Sequence, residues 1–330
     1  MNRAALAIAA AVLAAGCGGD GEGRAPGPSS SITPSGSSAP SGAPSSAASP
    51  APPGPASAAP SSASASPATS APGGPAALPG RTDGCPDGMV RVEGQYCPDV
   101  EQTCVEHHEE FDKDRKRKAG DDGAKKPSTV SERCLRYADP SICKSKERQQ
   151  KLFCVDRYEH PNRAGELPTL LVSWTDAKKA CEAQGKRLCT EAEFNFACEG
   201  EAMLPYTYGF VRDPSKCSID KEYRKRRKKL YPYERCQRTP ACKEHLAELD
   251  QRLPAGSMKD CVSPFGVHDM NGNINEWVEL PGKKYPDRSG LKGGWWGPVR
   301  NRCRPTVGFH KEDDYGYEAG FRCCKDAAPG

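Results

Sequence analysis

Cysteine is the residue that most constrains how this chain can fold. The sequence contains 17 cysteines, and all but Cys17 lie between Cys85 and Cys324. A dense set that is even in number is typical of a secreted domain held together by disulfide bonds in an oxidising compartment. A set of this size allows many connectivities, so the sequence predicts a disulfide framework without fixing its pairing.

The first 17 residues, MNRAALAIAAAVLAAGC, have the pattern of a bacterial signal peptide. Arg3 supplies positive charge, and residues 4–15 form an apolar stretch that is shorter than the roughly 20 residues needed to span a bilayer. The final LAAGC resembles a lipobox, whereas an ordinary secretory peptide cut at small residues is the alternative. In the lipobox interpretation Cys17 carries several acyl chains. These anchor the protein to the bacterial membrane, on the periplasmic side or at the cell surface.

Composition divides the rest of the chain in two. Residues 18–83 are Ser, Ala, Pro and Gly with almost no large apolar side chain. Such a segment buries too little surface to offset the entropy lost on ordering, so we expect a disordered tether. Residues 84–330 carry nearly all of the charged and aromatic residues, and they are numerous enough to form one domain with a substantial core.

The charges of the chain are nearly balanced, with 47 Lys and Arg against 43 Asp and Glu. This balance argues against a nucleic-acid-binding protein, which needs basic residues concentrated on one face. One basic run, KEYRKRRKK over residues 221–229, departs from the balance. We interpret it as a solvated loop, with a contact to an acidic partner as the alternative.

Capping residues and periodicity predict two helices. Ser173 is a plausible N-cap for the first helix, and Thr190 with Glu193 forms a capping box for the second. The first helix is expected to bury a face made of Trp174, Ala177 and Cys181. Other apolar runs, such as GMVRV and KLFCV, are short and lie among Gly, Pro, Asn and Asp. The pattern favours an α+β domain with short strands and long loops.

Four motifs, in this order and spacing, resemble the formylglycine-generating enzymes, also called sulfatase-modifying factors. The motifs are LVSWTDAKKACEAQGKRLCTEAEFNFACEG (171–200), SPFGVHDMNGNINEWVE (263–279), LKGGWWGPVRNRCRP (291–305) and GFRCC (320–324). The resemblance implies an irregular α+β fold related to C-type lectins. It also implies a chemistry, because the type enzyme of the family oxidises a sulfatase cysteine to formylglycine with oxygen and a copper ion held by two cysteines.

Several residues depart from the active-site pattern of that family. Cys303 matches the second copper-binding cysteine, but Pro298 stands at the position of the first. Trp295 replaces a serine of the oxygen site, and Asn275 replaces a tryptophan that lines the pocket. Soft thiolates select Cu(I), and proline offers no sulfur. We therefore expect neither bound copper nor formylglycine synthesis by the mechanism of the family.

The resemblance further implies a disulfide between Cys181 and Cys323. The second bridge of the family maps onto Cys198 and a position near Gly308, where this chain has no cysteine. The candidate partners for Cys198 are Cys189, Cys303 and Cys324. Cys303 is thus either half of a disulfide, which is the interpretation we favour in an oxidising compartment, or a free reactive thiol.

The stretch DMNGNINEWVE (269–279) begins like an EF-hand but lacks the glycine and the glutamate that an EF-hand requires later in the loop. The family resemblance instead implies a structural calcium site. Its ligands are the side chains of Asp269 and Glu276 and the carbonyl oxygens of Gly272 and Ile274, which suit a hard cation. An Asn-rich turn without metal is the alternative.

The loss of active-site residues beside an intact fold signature favours a binding module. We predict a membrane-tethered, extracytoplasmic binding or scaffolding protein for a protein, peptide or glycan ligand. Its expected pocket is lined by Trp295, Trp296, Asn275, Arg300, Arg302 and Arg304. Aromatic and cationic groups suit an anionic or sugar-like ligand, although Trp296 serves equally well as a core residue. The alternative is an oxygen-dependent oxidoreductase that uses Cys303 to act on a thiol or a protein cysteine.

Overall fold

The computed structural model describes residues 80–111, 113, 133–230, 233, 238–298 and 300–328. The chain divides into two units, Met1–Ser66 and Pro67–Gly330. The predicted signal peptide, its Cys17 and the predicted linker up to residue 79 lie outside the described residues. No helix in the described ranges is long and apolar enough to cross a membrane.

Short strands lie at both ends of the described chain, and the helices lie between them with one short strand. The strands are β1 (Met89–Tyr96), β2 (Val100–Glu101), β3 (Cys104–His107), β4 (Cys134–Tyr137), β5 (Ile142–Cys143), β6 (Gln149–Asp156), β7 (Arg187–Leu188), β8 (Asn275–Glu279), β9 (Ser289–Lys292), β10 (Ala319–Phe321) and β11 (Cys323–Asp326). The helices are α1 (Trp174–Glu182), α2 (Glu191–Glu199) and α3 (Pro240–Leu249), with a 3-10 turn over Lys228–Leu230. This mixture, with its long loops, confirms the predicted α+β class.

Two sheets form the frame of the domain. The first has the strand order β1-β6-β11-β7 and is antiparallel throughout. The second has the order β10-β8-β9, with β10 parallel and β9 antiparallel to β8. The parallel pair sets Gly320 opposite Glu276. As a result, the GFRCC motif and the loop before β8 meet in the middle of the domain.

The predicted helix caps are confirmed. The Ser173 side chain accepts a hydrogen bond from the Asp176 amide at the start of α1, and the buried residues of that helix are Trp174, Ala177 and Cys181. Both hydrogen bonds of the Thr190–Glu193 capping box are present in α2. Residues 193–199 of α2 are all buried, because this helix is enclosed on every side rather than packed by one face.

Three of the apolar clusters in the described residues contain residues of the helices. Val90 of β1 and Phe153 of β6 share the first cluster with Phe194 of α2. The second joins α1 to the three-stranded sheet through Trp174 and Trp277. The third cluster contains Tyr233, Cys242 and Leu249 of the 221–250 region, which pack with Trp296 and Tyr317. The basic run is therefore part of a segment that is anchored in the core.

Disulfide bonds fasten the loops of the domain. The described pairs are Cys85–Cys154, Cys97–Cys143, Cys104–Cys134, Cys181–Cys323, Cys189–Cys324, Cys198–Cys303 and Cys217–Cys261. Cys242 is disulfide-bonded as well, so every cysteine in the described ranges is oxidised. The predicted disulfide-rich character is thereby confirmed, and it indicates an oxidising compartment outside the cytoplasm.

Candidate functional site

The segment that follows β9 folds back on itself at two glycines. Gly293 and Gly294 have φ angles of 78° and 76°, a region that favours glycine. A Cβ atom on Gly294 would lie 2.8 Å from backbone atoms of Arg300 and Asn301, so a side chain here would push the two arms of the loop apart. Asn301 closes the loop by donating to the Trp295 carbonyl and accepting from Arg212 Nη2 at 2.7 Å.

The two tryptophans of this loop differ in exposure. Trp296 is fully buried and Trp295 is half-buried, with their ring centroids 5.4 Å apart. The Trp296 amide donates to the Asn273 carbonyl, and the Trp296 carbonyl accepts from the Lys221 amide at 2.8 Å. Trp296 is therefore a core residue. It links this loop to the predicted calcium-binding loop (269–279) and to the basic run (221–229).

Cys303 is in a disulfide with Cys198, and both side chains are fully buried. The Asn271 side chain donates to Cys198 Sγ at 3.4 Å and accepts from the Thr207 amide at 2.7 Å. Cys198, whose expected partner in the family is absent from this chain, is thus bonded to Cys303, the remaining cysteine of the copper-binding pair. A disulfide sulfur is not a thiolate, and Pro298 supplies no sulfur, so the residues present do not fit a copper ion.

The remaining residues of the predicted pocket do not face one common space. Arg304 pairs with Glu199, with Nε 2.7 Å from Oε2, Arg302 lies over the Tyr137 ring, and Arg300 lies over the Phe309 ring. Asn275 is buried in β8. Alternate spacing would place the three arginines on one face of a strand, but the segment is not a strand, and Arg300 has a φ angle of 60°. None of the six predicted residues lines either of the two cavities described for this domain.

A buried lysine lies beneath this segment. Lys292, at the end of β9, is 1 % exposed, and its Nζ donates to the Arg304 carbonyl at 2.7 Å and to Thr306 Oγ1 at 3.1 Å. Burial lowers the pKa of Lys292 to about 7, although the charges of Glu191 and Glu199 act in the opposite direction. Burial of this lysine therefore disfavours its charged form.

Asp269 and Glu276, the predicted calcium-binding side chains, are both buried and already have protein partners. Asp269 Oδ2 accepts from the Gly256 amide at 2.6 Å, and burial raises the pKa of Asp269 to about 6. Both oxygens of Glu276 accept from the buried Arg322, at 2.6 and 2.8 Å. Glu276 is thus held by Arg322, while the backbone of Gly272 and Ile274 follows Asp269 in the same loop.

Sequence reasoning did not identify Glu159 as a member of this cluster. It is fully buried, its Oε2 accepts from Asn273 Nδ2 at 2.8 Å, and its Oε1 has no hydrogen-bond partner. Burial, then the charges of Asp269 and Glu276, raise the pKa of Glu159 well above its ordinary value. No sequence period links Glu159 to a loop more than 100 residues away, so only the fold brings their charges together.

The cluster is rich in buried carboxyl groups, but its geometry is not that of a complete metal site. Three buried carboxylates, those of Glu159, Asp269 and Glu276, face the single guanidinium of Arg322. The described residues nevertheless contain no group of three or more His, Cys, Asp or Glu side chains arranged to hold one metal ion. A calcium ion here would need backbone carbonyl ligands as well, and the family resemblance implies those of Gly272 and Ile274 beside the side chains of Asp269 and Glu276.

The basic run lies over the loop that contains Trp295 and Trp296, which we call the tryptophan loop. We call residues 225–229 the basic ridge; its side chains are exposed. A cavity of about 760 Å³ lies along it and is lined by Tyr223, Lys225, Arg226, Arg227, Lys228 and Tyr233. Tyr233 also packs in the cluster that contains Trp296, so this cavity adjoins the loop that matches the active-site segment of the family.

The sequence was compared with known families and curated proteins. Residues 92–327 match the family model described as sulfatase-modifying factor enzyme 1-like domain. Two relatives, each named inactive C-alpha-formylglycine-generating enzyme 2, are 26% identical to this chain. The Bos taurus protein aligns over 183 residues, or 49% of this chain and 51% of that protein. The Mus musculus protein aligns over 170 residues, or 49% and 50%. The chain spans about half the length of these curated relatives.

Two solved structures show a distant overall similarity. The structure of PvdO from Pseudomonas aeruginosa has a TM-score of 0.43 and 17% sequence identity, and it covers 76% of this chain and 100% of its own. The crystal structure of CarF has a TM-score of 0.43 and 14% identity, with coverage of 73% and 98%.

Proposed function

Since the chain belongs to the sulfatase-modifying factor family, we propose that it is a binding or scaffolding member without copper-dependent oxidase activity. The observation that carries the proposal is the buried Cys198–Cys303 disulfide. Copper chemistry in this family uses two thiolates, and here one position is Pro298 while the other cysteine is oxidised. The names of the two curated relatives, which contain the word inactive, agree with this interpretation.

The test of the proposal measures oxygen uptake and thiol state together. The full-length protein is incubated with Cu(I) and a cysteine-containing peptide, and we expect no oxygen consumption above that of copper and peptide alone. Non-reducing peptide mapping is expected to recover Cys198 linked to Cys303. Oxygen uptake by a protein whose Cys303 is found as a free thiol would support the alternative, a cysteine oxidoreductase, and overturn the proposal.

A pair of variants sharpens this test. Cys198→Ser releases the Cys303 sulfur but leaves one thiol, whereas Cys198→Ser combined with Pro298→Cys supplies the two thiols that a Cu(I) site requires. We expect tight Cu(I) binding by the double variant only, measured by competition with a chromogenic chelator. Copper binding by the unaltered, fully oxidised protein would contradict the assignment.

The anchoring of the protein is a further part of the proposal. Lipidation of Cys17 holds the domain at the bacterial membrane, and residues 18–83 act as the tether. The lipobox-like LAAGC stretch and the disulfide-rich domain support this arrangement. In cells that produce the full chain, Cys17→Ser is expected to move the protein from the membrane fraction to the soluble fraction; equal membrane retention of both forms would contradict it.

Structural calcium in the loop that precedes β8 completes the proposal. Asp269 with the carbonyls of Gly272 and Ile274 supplies oxygen ligands, and the burial of three carboxyl groups, those of Glu159, Asp269 and Glu276, beside the guanidinium of Arg322 supports the proposal of a bound cation. Calcium would stabilise the loop and has no part in any reaction step. Its removal is expected to lower thermal stability.

A further inference from the structure

The cavity along the basic ridge has the dimensions and lining of a ligand site. Its volume of about 760 Å³ lies within the range of roughly 300–1,000 Å³ found for small-molecule pockets. Four of its six lining residues are cationic and the other two are tyrosines. Tyr223 is 54% exposed, so the cavity presents an aromatic ring to solvent beside several positive charges.

Part of the positive charge around the cavity is not neutralised by protein carboxylates. Arg227 pairs with Glu248, at 2.7 Å between Nη2 and Oε1. Arg226 hydrogen-bonds to Tyr223 and interacts with the buried Glu318. Lys225 and Lys228 are exposed and form no salt bridge within the part of the chain that the structure describes. Cations concentrated in a concave surface attract an anionic ligand, and guanidinium groups match carboxylate and phosphate geometry.

The ridge is held in place before any ligand arrives. Arg224 Nη1 donates to the Glu248 carbonyl at 2.6 Å, and the Arg227 amide donates to His245 Nε2 at 3.0 Å. Glu248 and His245 lie on α3, which Thr239 caps. Lys221 adds a third attachment, from its Nζ to the Gln251 carbonyl at 2.6 Å. Because the backbone is already ordered by these contacts, binding costs less conformational entropy.

The aromatic side of the cavity continues into the domain. The Tyr233 ring lies 5.9 Å from that of Tyr317, which in turn lies 6.1 Å from Trp296. The exposed Tyr223 ring beside cationic groups suits a sugar ring, since the apolar face of the sugar packs on that tyrosine while its acidic substituent meets the cations. A peptide that binds by adding a strand to a sheet would instead need an open strand edge, and the lining segment contains a 3-10 turn over Lys228–Leu230.

We propose that this cavity binds an acidic saccharide, that is, a sugar chain bearing carboxylate, phosphate or sulfate groups. Tyr223 contacts the sugar ring, and Lys225, Arg226 and Lys228 contact its charged substituent. The inference rests on the proposed function, since it names the ligand class of a non-catalytic binding module. It locates the ligand outside the tryptophan loop, on the segment that covers the former reaction site.

Calorimetric titration of the full-length protein in detergent micelles tests the proposal. The probes are hexagalacturonate, a sulfated hexasaccharide and a phosphorylated oligosaccharide, which separate the three kinds of acidic group. Neutral maltohexaose, inorganic phosphate and hexaglutamate are the controls. At least one acidic saccharide is expected to bind about tenfold or more tightly than every control. Its affinity should fall as salt rises from about 50 to about 200 mM.

Matched variants distinguish the cavity from general surface charge. Lys225→Gln, Arg226→Gln and Lys228→Gln together are expected to weaken binding by about tenfold or more. Tyr223→Ala should weaken it by about threefold or more at unchanged charge. Lys259→Gln, Lys283→Gln and Lys284→Gln remove the same number of exposed charges elsewhere and should change affinity by less than about twofold.

Three results overturn the saccharide proposal: no acidic saccharide binds, hexaglutamate binds as tightly, or the two triple variants weaken binding equally. Circular dichroism of each variant verifies folding, which these exposed positions are expected to preserve. None of these outcomes depends on the state of Cys303, so a failure here leaves the oxygen-uptake test intact. Failure of the oxygen-uptake test likewise leaves the titration interpretable.

Discussion

At the scale of the residue, the chemistry of the candidate site depends on which sulfur atoms are present and on whether they are oxidised. Pro298 removes one sulfur from the position where the family holds copper. Cys303 retains the other, but the bond to Cys198 consumes its thiol, and Asn271 donates to the Cys198 side of that disulfide. The bridge is fully buried, so solvent reductants reach it only when the domain opens. One substitution, at Pro298, and one new partner, Cys198, therefore leave a structural link where the family has a metal-binding pair.

Gly294 gives a first test at this scale. Its left-handed backbone would cost about 1–2 kcal/mol for an alanine, and the close approach to Asn301 adds an overpacking cost of about 1–3 kcal/mol. Gly282 has a similar φ angle of 81°, but a Cβ atom there would meet nothing within 4 Å. We expect Gly294→Ala to lower the free energy of unfolding more than Gly282→Ala does, by denaturant titration. Equal losses would show that the loop tolerates a side chain there.

Lys292 gives a prediction about pH. Its pKa is about 7 in the folded protein and about 10.5 in the unfolded chain. Between these two values the unfolded state binds more protons, so stability contributed at this position rises with pH. Below about pH 7 the lysine is charged in both states, and the burial penalty applies in full. Lys292 is surrounded by Glu191, Glu199 and Arg304.

The measurement compares unfolding free energies of the wild type and Lys292→Met from about pH 7 to pH 9. As pH rises, the unfolding free energy of the wild type is expected to increase relative to that of the variant by up to about 1.4 kcal/mol per pH unit. The exposed Lys283→Met is the matched control and should show a constant difference. A difference for Lys292→Met that does not change with pH would contradict a depressed lysine pKa.

At the scale of the element, the loop that precedes β8 and the ridge segment contribute in different ways. The loop places Asp269 and Asn273 in left-handed backbone, with φ angles of 58° and 56°. Its Asn273 side chain spans between Glu159 and the Leu253 backbone. The ridge segment is attached through α3 and lies over the Trp296 loop. The loop thus organises buried charge, whereas the ridge segment offers exposed charge.

The proposed calcium site gives the prediction that belongs to this scale. Calcium at about 100 times its dissociation constant stabilises a folded protein by about 2.7 kcal/mol. For a domain of this size that energy raises the melting temperature by about 5–10 °C relative to chelator. Asp269→Asn is expected to abolish the increase, while Asp260→Asn, at an exposed carboxylate of the preceding loop, should retain it. Magnesium serves as the ion control, and identical melting in calcium and in chelator would argue against the site.

At the scale of the whole molecule, stability depends on the disulfide network. The Cys181–Cys323 and Cys189–Cys324 bonds join α1 and the segment before α2 to the last strand. Cys198–Cys303 lies inside the same span of chain, with a sequence separation of 105. A closed loop of about 100 residues would contribute about 4.7 kcal/mol by itself, but the overlapping bonds already restrict the unfolded chain.

We therefore expect the paired change Cys198→Ser and Cys303→Ser to cost about 2–4 kcal/mol and to leave the domain folded. Complete reduction should instead unfold it at physiological temperature, because the loss of one native disulfide costs about 2–5 kcal/mol in a small secreted domain and this domain would lose all of them. Near-ultraviolet circular dichroism follows the fold, and mass spectrometry after alkylation counts the thiols. A fully reduced protein that keeps its near-ultraviolet spectrum would contradict this dependence.

The sequence by itself determined the local features and the family. The Ser173 cap and the Thr190–Glu193 capping box involve residues three positions apart, so a linear pattern suffices to find them. The loss of a copper ligand at Pro298 is likewise visible in the sequence. Only the tertiary structure decided which cysteine meets Cys198, that Glu159 joins Asp269 and Glu276, and that Arg300, Arg302 and Arg304 point to different neighbours. These outcomes depend on contacts between residues that the fold brings together from distant parts of the chain, and periodicity does not encode such contacts.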